Sequence, residues 1–159
     1  SPTSAPDGDS RDALMAPFGD RTQWPVRTAR LLIRPAEPRD LPAIVQLIGE
    51  LAEFEHLTHL LEVTPDKLDP HLFGDEPVAE CMVGEVHGEV VAFALYYTNF
   101  STFLAQPGLY LEDLYVQPQC RGQGLGRALL RHLGALAGHR LGERGLEIVI
   151  GDRVEIGKP

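Results

Sequence analysis

The stretch Leu109-Tyr110-Leu111-Glu112-Asp113-Leu114-Tyr115-Val116, followed after Gln117-Pro118 by Gln119-Cys120-Arg121-Gly122-Gln123-Gly124-Leu125-Gly126-Arg127-Ala128, decides the fold. Its first part is rich in aromatic and aliphatic residues and is stopped by Pro118, which reads as a β-strand. From Gly124 to His139, Leu125, Leu129, Leu133 and Leu136 lie along one face, with Arg127 and Arg131 elsewhere, which reads as an amphipathic helix. Between them, glycines at 122, 124 and 126 let backbone N–H groups converge on one point, and the helix N-terminus adds its positive dipole end. Such a turn is an anion cradle that suits a pyrophosphate, although a tight strand-to-helix turn without a ligand would use the same glycines. The spacing G-x-G-x-G is neither the dinucleotide fingerprint nor the Walker pattern.

Downstream of the helix, Gly145 to Ile150 reads as a strand, so the unit is strand-helix-strand and its two strands are expected to be parallel. Upstream, Ala79 to Val86 and Val90 to Tyr97 are β-type runs separated by His87-Gly88-Glu89, a link of the kind that closes an antiparallel hairpin. Asn99 to Gly108 reads as a loop. Asp40 is placed to cap a helix that starts at Leu41-Pro42, buries Ile44, Leu47, Ile48 and Leu51, and runs to about His56. A second helix follows Thr64-Pro65-Asp66 and ends near Phe73-Gly74. Arg30 to Pro35 opens the folded part as a short strand. Ser1 to Thr28 is rich in Pro, Ser, Asp and Gly and is expected to be a disordered or loosely packed arm in which only Trp24 packs; residues 29–159 form one α/β domain.

Composition narrows the function. The 159 residues are 43% hydrophobic and 23% charged, which fits one globular domain. The net charge is −9 and only two of the 14 basic residues are lysines, so no basic stripe is available for nucleic acid. An acidic surface would attract cationic small molecules or basic peptides, but it serves simple solubility as well, so charge alone does not decide the partner. No run of the ~18 apolar residues that a membrane helix needs is present, and a cytoplasmic location is expected. Cys81 and Cys120 have no companions at metal-ligand spacing, so neither a disulfide framework nor a metal site is expected.

Arg-x-x-Gly-x-Gly directly after an acidic strand resembles the acetyl-CoA-binding signature of the GNAT superfamily of N-acetyltransferases. The resemblance is greatest to its diamine (spermidine/spermine) and thialysine branch, through Leu31-Leu32-Ile33-Arg34-Pro35-Ala36, Glu50-Leu51-Ala52-Glu53-Phe54-Glu55 and Phe93-Ala94-Leu95-Tyr96-Tyr97, and covers about Leu31 to Ala137. It implies a mixed, mostly antiparallel sheet with flanking helices around a central β-α-β unit. It also implies that acetyl-CoA is the co-substrate, a small primary amine the acceptor and a homodimer the assembly.

Residue by residue, the resemblance assigns the pantetheine arm to the backbone of Leu114, Tyr115 and Val116, where the strand splays from its parallel neighbour at a bulge. It assigns the pyrophosphate to the N–H groups of Gly122, Gln123, Gly124, Leu125, Gly126 and Arg127, and counts Arg121 among the cofactor-binding residues. A main-chain N–H near Val116 would polarise the thioester carbonyl. Glu112 would be the base, because an alkylamine with a pKa near ~10 is an ammonium at neutral pH and must lose a proton before it attacks. Phe54 and Glu55 would line the amine site with Glu112, a ring and carboxylates suiting a long cation. In a regular strand Asp113 points away from Glu112, so the two acids share a role only if a bulge turns them. Glu50 and Glu53 fit a solvated helix face.

The pattern breaks after Ile150. Enzymes of this branch continue with a Trp-Asn loop, a helix bearing the Tyr that reprotonates the CoA thiolate, and two final strands; Gly151 to Pro159 contains no Trp, Asn or Tyr. The sequence therefore leaves open a catalytically weak acyl-CoA-binding or interaction module beside the enzyme, and predicts apolar surface around Leu146, Ile148 and Ile150 that a second subunit would cover.

Overall fold

The computed structural model describes residues 26–28, 31–142 and 148–155. Trp24 and the rest of the expected arm before residue 26 lie outside them, as does Leu146. Among the described residues, six strands form one sheet in the order β1 (Val26–Thr28), β2 (Leu31–Pro35), β3 (Glu80–Val86), β4 (Glu89–Ser101), β5 (Gln106–Val116) and β6 (Ile148–Glu155). Neighbours are antiparallel except β5 and β6, which are parallel. The mostly antiparallel sheet and its β-α-β unit are as the resemblance implies. Residues 26–28, the last of the expected arm, pair with β2.

Helix α1 (Leu41–Phe54) and the short α2 (Pro65–Phe73) cover one face of the sheet, and α3 (Leu125–Leu141) covers the other. On the α1 face Ile44, Leu47 and Leu51 meet Cys81, Val83, Phe93 and Tyr115. On the α3 face Leu125, Leu129, Leu133 and Leu136 meet Ile33, Met82, Ala92, Ala94, Leu111 and Leu114. Each such fully buried aliphatic side chain contributes about 1.5–3 kcal/mol before the entropy of ordering is subtracted.

Four local expectations are corrected. Asp40 does not cap α1 with its side chain. It accepts a bidentate pair from Arg34, at 2.7 and 2.8 Å, and the Glu37 N–H at 2.7 Å. A buried guanidinium outcompetes a helix-end N–H for the carboxylate. Thr64 does cap α2, accepting from the Lys67 N–H. The region read as a loop, Asn99 to Gly108, is mostly strand: β4 runs on to Ser101 and β5 starts at Gln106, with Asn99 opposite Gly108. Cross-strand pairing overrides the turn preference of Asn and Gly there. Helix α1 ends at Phe54, two residues early, where His56 takes φ 58°. The final strand runs to Glu155, well past Ile150, and Ile150 is 57% exposed.

Helix α3 places His132 against the sheet at 2% exposure, and burial pushes its imidazole down to about 4. A base whose folded pKa lies below its unfolded value near ~6.5 contributes stability fully above that value and loses it as the pH falls toward the folded pKa. Between pH 7 and pH 4 the protein is expected to lose about 3 kcal/mol more stability than the His132→Leu variant, read from urea melts at each pH. Equal pH dependence of the two proteins would refute the buried neutral imidazole.

Candidate active site

The acidic strand β5 contains one residue more than its antiparallel partner β4. Leu95 of β4 pairs with Asp113 and Tyr96 pairs with Leu111, so Glu112 is the extra residue of a bulge. Side-chain direction changes there: Leu109 and Leu111 lie on the α3 face, as do Leu114 and Val116 beyond the bulge. Glu112 and Asp113 therefore both turn toward the α1 face, where the alternation of a regular strand would separate them. The spacing of apolar residues, two then three then two, was the sequence signal for this.

Both carboxylates meet one cation. Arg153 of β6 donates from Nε to Asp113 Oδ1 at 2.8 Å and from a terminal guanidinium nitrogen to Glu112 Oε1. Asp113 is 8% exposed, and burial pushes its carboxyl up to about 6; Arg153 opposes that rise and the Glu112 charge adds to it. Above this pair a cavity of about 250 Å³ opens between Ile48, Leu51, Leu57, Leu61 and Val63, with Asp113 and Arg153 at its floor. Arg153 was not singled out in the sequence, because nothing local marks a partner 40 residues away.

Further along β5, Leu114, Tyr115 and Val116 lead into the glycine turn. Their edge is not splayed from β6, which corrects the expectation: Asp113, Leu114 and Tyr115 pair with Arg153, Val154 and Glu155. The physical reason is that the segment after Ile150 continues the parallel ladder past the bulge. Val116 keeps its β4 partner Ala92, and its carbonyl accepts from Arg121 Nε at 2.8 Å. The Arg121 guanidinium lies 5.5 Å from the ring centres of both Phe54 and Tyr115, so this arginine turns inward between two aromatic faces.

The turn itself keeps its backbone free. Gly122 and Gly124 both take φ 81°, a left-handed conformation that side chains disfavour by ~1–2 kcal/mol, and a Cβ on either would meet no atom within 4 Å. Gly124 is the N-cap of α3, its carbonyl accepting from Ala128 N–H at 2.9 Å. The N–H groups of Leu125, Gly126 and Arg127 thus have no partner within the helix. Gln123 and Arg127 flank them, exposed. This open, positively polarised end fits an anionic diphosphate.

At the C-terminal end of α1, Phe54 is 50% exposed beneath Arg121, and Glu55 is the C-cap. Glu50, read as part of a wet face, instead accepts from Gln117 Nε2 at 3.0 Å and lies 3.5 Å from the Tyr115 hydroxyl. Phe54 and Glu55 thus belong to the Arg121–Tyr115 end of the site, Glu112 and Asp113 to the Arg153 end, and β6 joins the two. Among the described residues no three metal-ligating side chains cluster, and no helix is long and apolar enough to cross a membrane.

The acetyltransferase (GNAT) family profile matches residues 41–153. The chain is 39% identical over 113 residues to thialysine N-epsilon-acetyltransferase of Mus musculus, covering 66% of this chain and 66% of that protein. It is 37% identical over 112 residues to spermidine/spermine N(1)-acetyltransferase-like protein 1 of Homo sapiens, covering 66% of this chain and 16% of that one. The chain thus spans about two thirds of the length of the mouse relative. In fold it is similar to the ribosomal-protein-alanine N-acetyltransferase of Brucella melitensis biovar Abortus 2308, with TM-score 0.58, 22% identity, and coverage of 79% of this chain and 80% of that one.

The buried Asp113 carboxyl is expected to titrate near pH 6 by carbon-13 NMR, and Arg153→Gln, which removes the opposing cation, is expected to move that midpoint higher. A midpoint near the ordinary ~3.9 would contradict the burial of this acid.

Proposed function

Because the chain belongs to the acetyltransferase (GNAT) family, we propose that it transfers an acetyl group from acetyl-CoA to the primary amine of a small polyamine, diamine or thialysine-like substrate. The observation that carries this reading is the bulge in β5, which turns Glu112 and Asp113 to one face immediately before the glycine turn. Similarity to the mouse thialysine enzyme supports the substrate class.

The chemistry follows from the charges. A primary ammonium is drawn to the paired acids, its aliphatic part suited to the apolar cavity between Ile48, Leu51 and Leu61. Glu112 takes the proton, which frees the nitrogen lone pair. When bound, acetyl-CoA supplies the activated acyl carbon; its pyrophosphate would be held by the N–H groups from Gly122 to Arg127. Val116, and Leu114 and Tyr115 once Val154 and Glu155 leave their edge, would pair their backbone with its amide arm, as in strand addition. The second reading, an acyl-CoA-binding module with little turnover, is favoured by the Arg153 pair on Glu112. Thiol release with acetyl-CoA and a panel of amines separates the two: turnover supports the enzyme, and binding without turnover supports the module.

Acetyl-CoA is expected to raise the melting temperature, and Gly124→Val, which forces a β-branched residue to φ 81°, is expected to shrink that gain. Full acetyl-CoA affinity in Gly124→Val would exclude the glycine turn as the cradle. Glu112→Gln is expected to lower the rate with amine at neutral pH by ~100-fold or more without weakening acetyl-CoA binding. Loss of affinity for both substrates would point to a structural role for Glu112 instead.

A further inference from the structure

Two groups that the proposed reaction needs are held by one short segment of the chain itself. The first half of β6 pairs Ile148, Val149 and Ile150 with Leu109, Tyr110 and Leu111; the ladder then shifts, and it resumes with Arg153, Val154 and Glu155 against Asp113, Leu114 and Tyr115. Gly151 and Asp152 face the single residue Glu112, so β6 is two short ladders joined at the bulge. A Cβ at 151 would lie 2.9 Å from the Leu111 carbonyl oxygen and 3.1 Å from that of Glu112. Glycine is what lets this joint close over β5.

Beyond the joint, Arg153 places its guanidinium on both Glu112 and Asp113. It offers those acids what an alkylammonium offers, a positive charge with N–H donors. Val154 and Glu155 occupy the backbone edge of Leu114 and Tyr115, and Arg121 Nε occupies the Val116 carbonyl. The hold is light. The Arg153 side chain is 44% exposed, and Glu155 comes against Glu55, a group of like charge. Burial first, and then the contact with Glu55, push the Glu155 carboxyl up.

We infer that residues 151–155 form a self-inhibitory strap: Arg153 stands in for the substrate cation on Glu112 and Asp113, and the backbone of 153–155 stands in for the amide arm of acetyl-CoA on β5. The inference rests on the roles given above to Glu112 and to Leu114, Tyr115 and Val116. One segment closes both subsites, so whichever ligand displaces it opens the site of the other. The amine and acetyl-CoA then bind with positive cooperativity, each with an affinity reduced by the fraction of molecules in which the strap is closed.

Calorimetric affinities for acetyl-CoA and for thialysine, measured on the wild type, Arg153→Gln and Val154→Pro, test this. Val154→Pro puts a residue with no N–H and a fixed φ into the 153–155 ladder and is expected to tighten acetyl-CoA about fivefold or more, and Arg153→Gln is expected to do the same for thialysine. Unchanged or weaker binding in folded variants, with the wild type binding acetyl-CoA, overturns the strap and leaves the functional reading standing. Failure of acetyl-CoA to bind any of the three proteins overturns both, whereas binding only after the substitutions supports both. Hydrogen exchange on the wild-type chain gives an independent measure: saturating acetyl-CoA is expected to deprotect amides 153–155 while 148–150 stay protected. Retained protection at 153–155 in the bound state overturns the strap.

Discussion

One extra residue in β5 sets the geometry of everything around it. Had the strand continued without the bulge at Glu112, Asp113 would face α3 and Leu114 would face α1, and the apolar residues that seal α3 to the sheet would lie on the wrong side. The core on the α3 face needs Leu111 and Leu114 together, and that spacing is satisfied only if one residue between them is surplus. The surplus residue is the carboxylate of Glu112. The packing requirement that fixes the bulge is therefore also what brings two acids to one face, and their shared field is what recruits Arg153.

The bulge faces α1, and α1 is tied to the sheet by a second cluster of charges. Arg34 of β2 holds Asp40 at the start of α1 and Glu85 of β3 together. Burial alone would raise the Asp40 carboxyl, but Arg34 holds it below its ordinary value, and the guanidinium is itself raised, chiefly by its hydrogen bond to Asp40. Buried ions of this kind are stable only as a complete set, because removal of one partner strands the charge of another. The set fixes where α1 begins, and the apolar line Ile44, Leu47 and Leu51 fixes how it lies. Glu50 and Phe54 then reach the end of β5 as a consequence of helical spacing.

The parts legible from sequence were those decided within a few residues. Thr64-Pro65 announces the start of α2 because capping chemistry is local, and the glycines at 122 and 124 announce a turn because their left-handed φ angles exclude most other residues. The choice between partners was not legible. Asp40 could serve a helix end three residues on or a guanidinium six residues back, and only the burial of Arg34 decides it. Asn99 and Gly108 look like turn residues until they are found opposite each other in a long hairpin. The tail after Ile150 carries no periodic signal of its own, so its strand exists only because β5 offers an edge to it.

Cys81 and Cys120 are both buried and outside any disulfide, one on each side of the sheet. Burial pushes the Cys81 thiol up, with the charges of Asp40 and Asp113 adding to the effect, so little thiolate is available to an alkylating reagent while the fold is intact. Burial of both sulfurs makes them internal clocks for breathing of the two layers. Cys81 registers separation of α1 from the sheet, and Cys120 registers separation of α3, without any label introduced from outside.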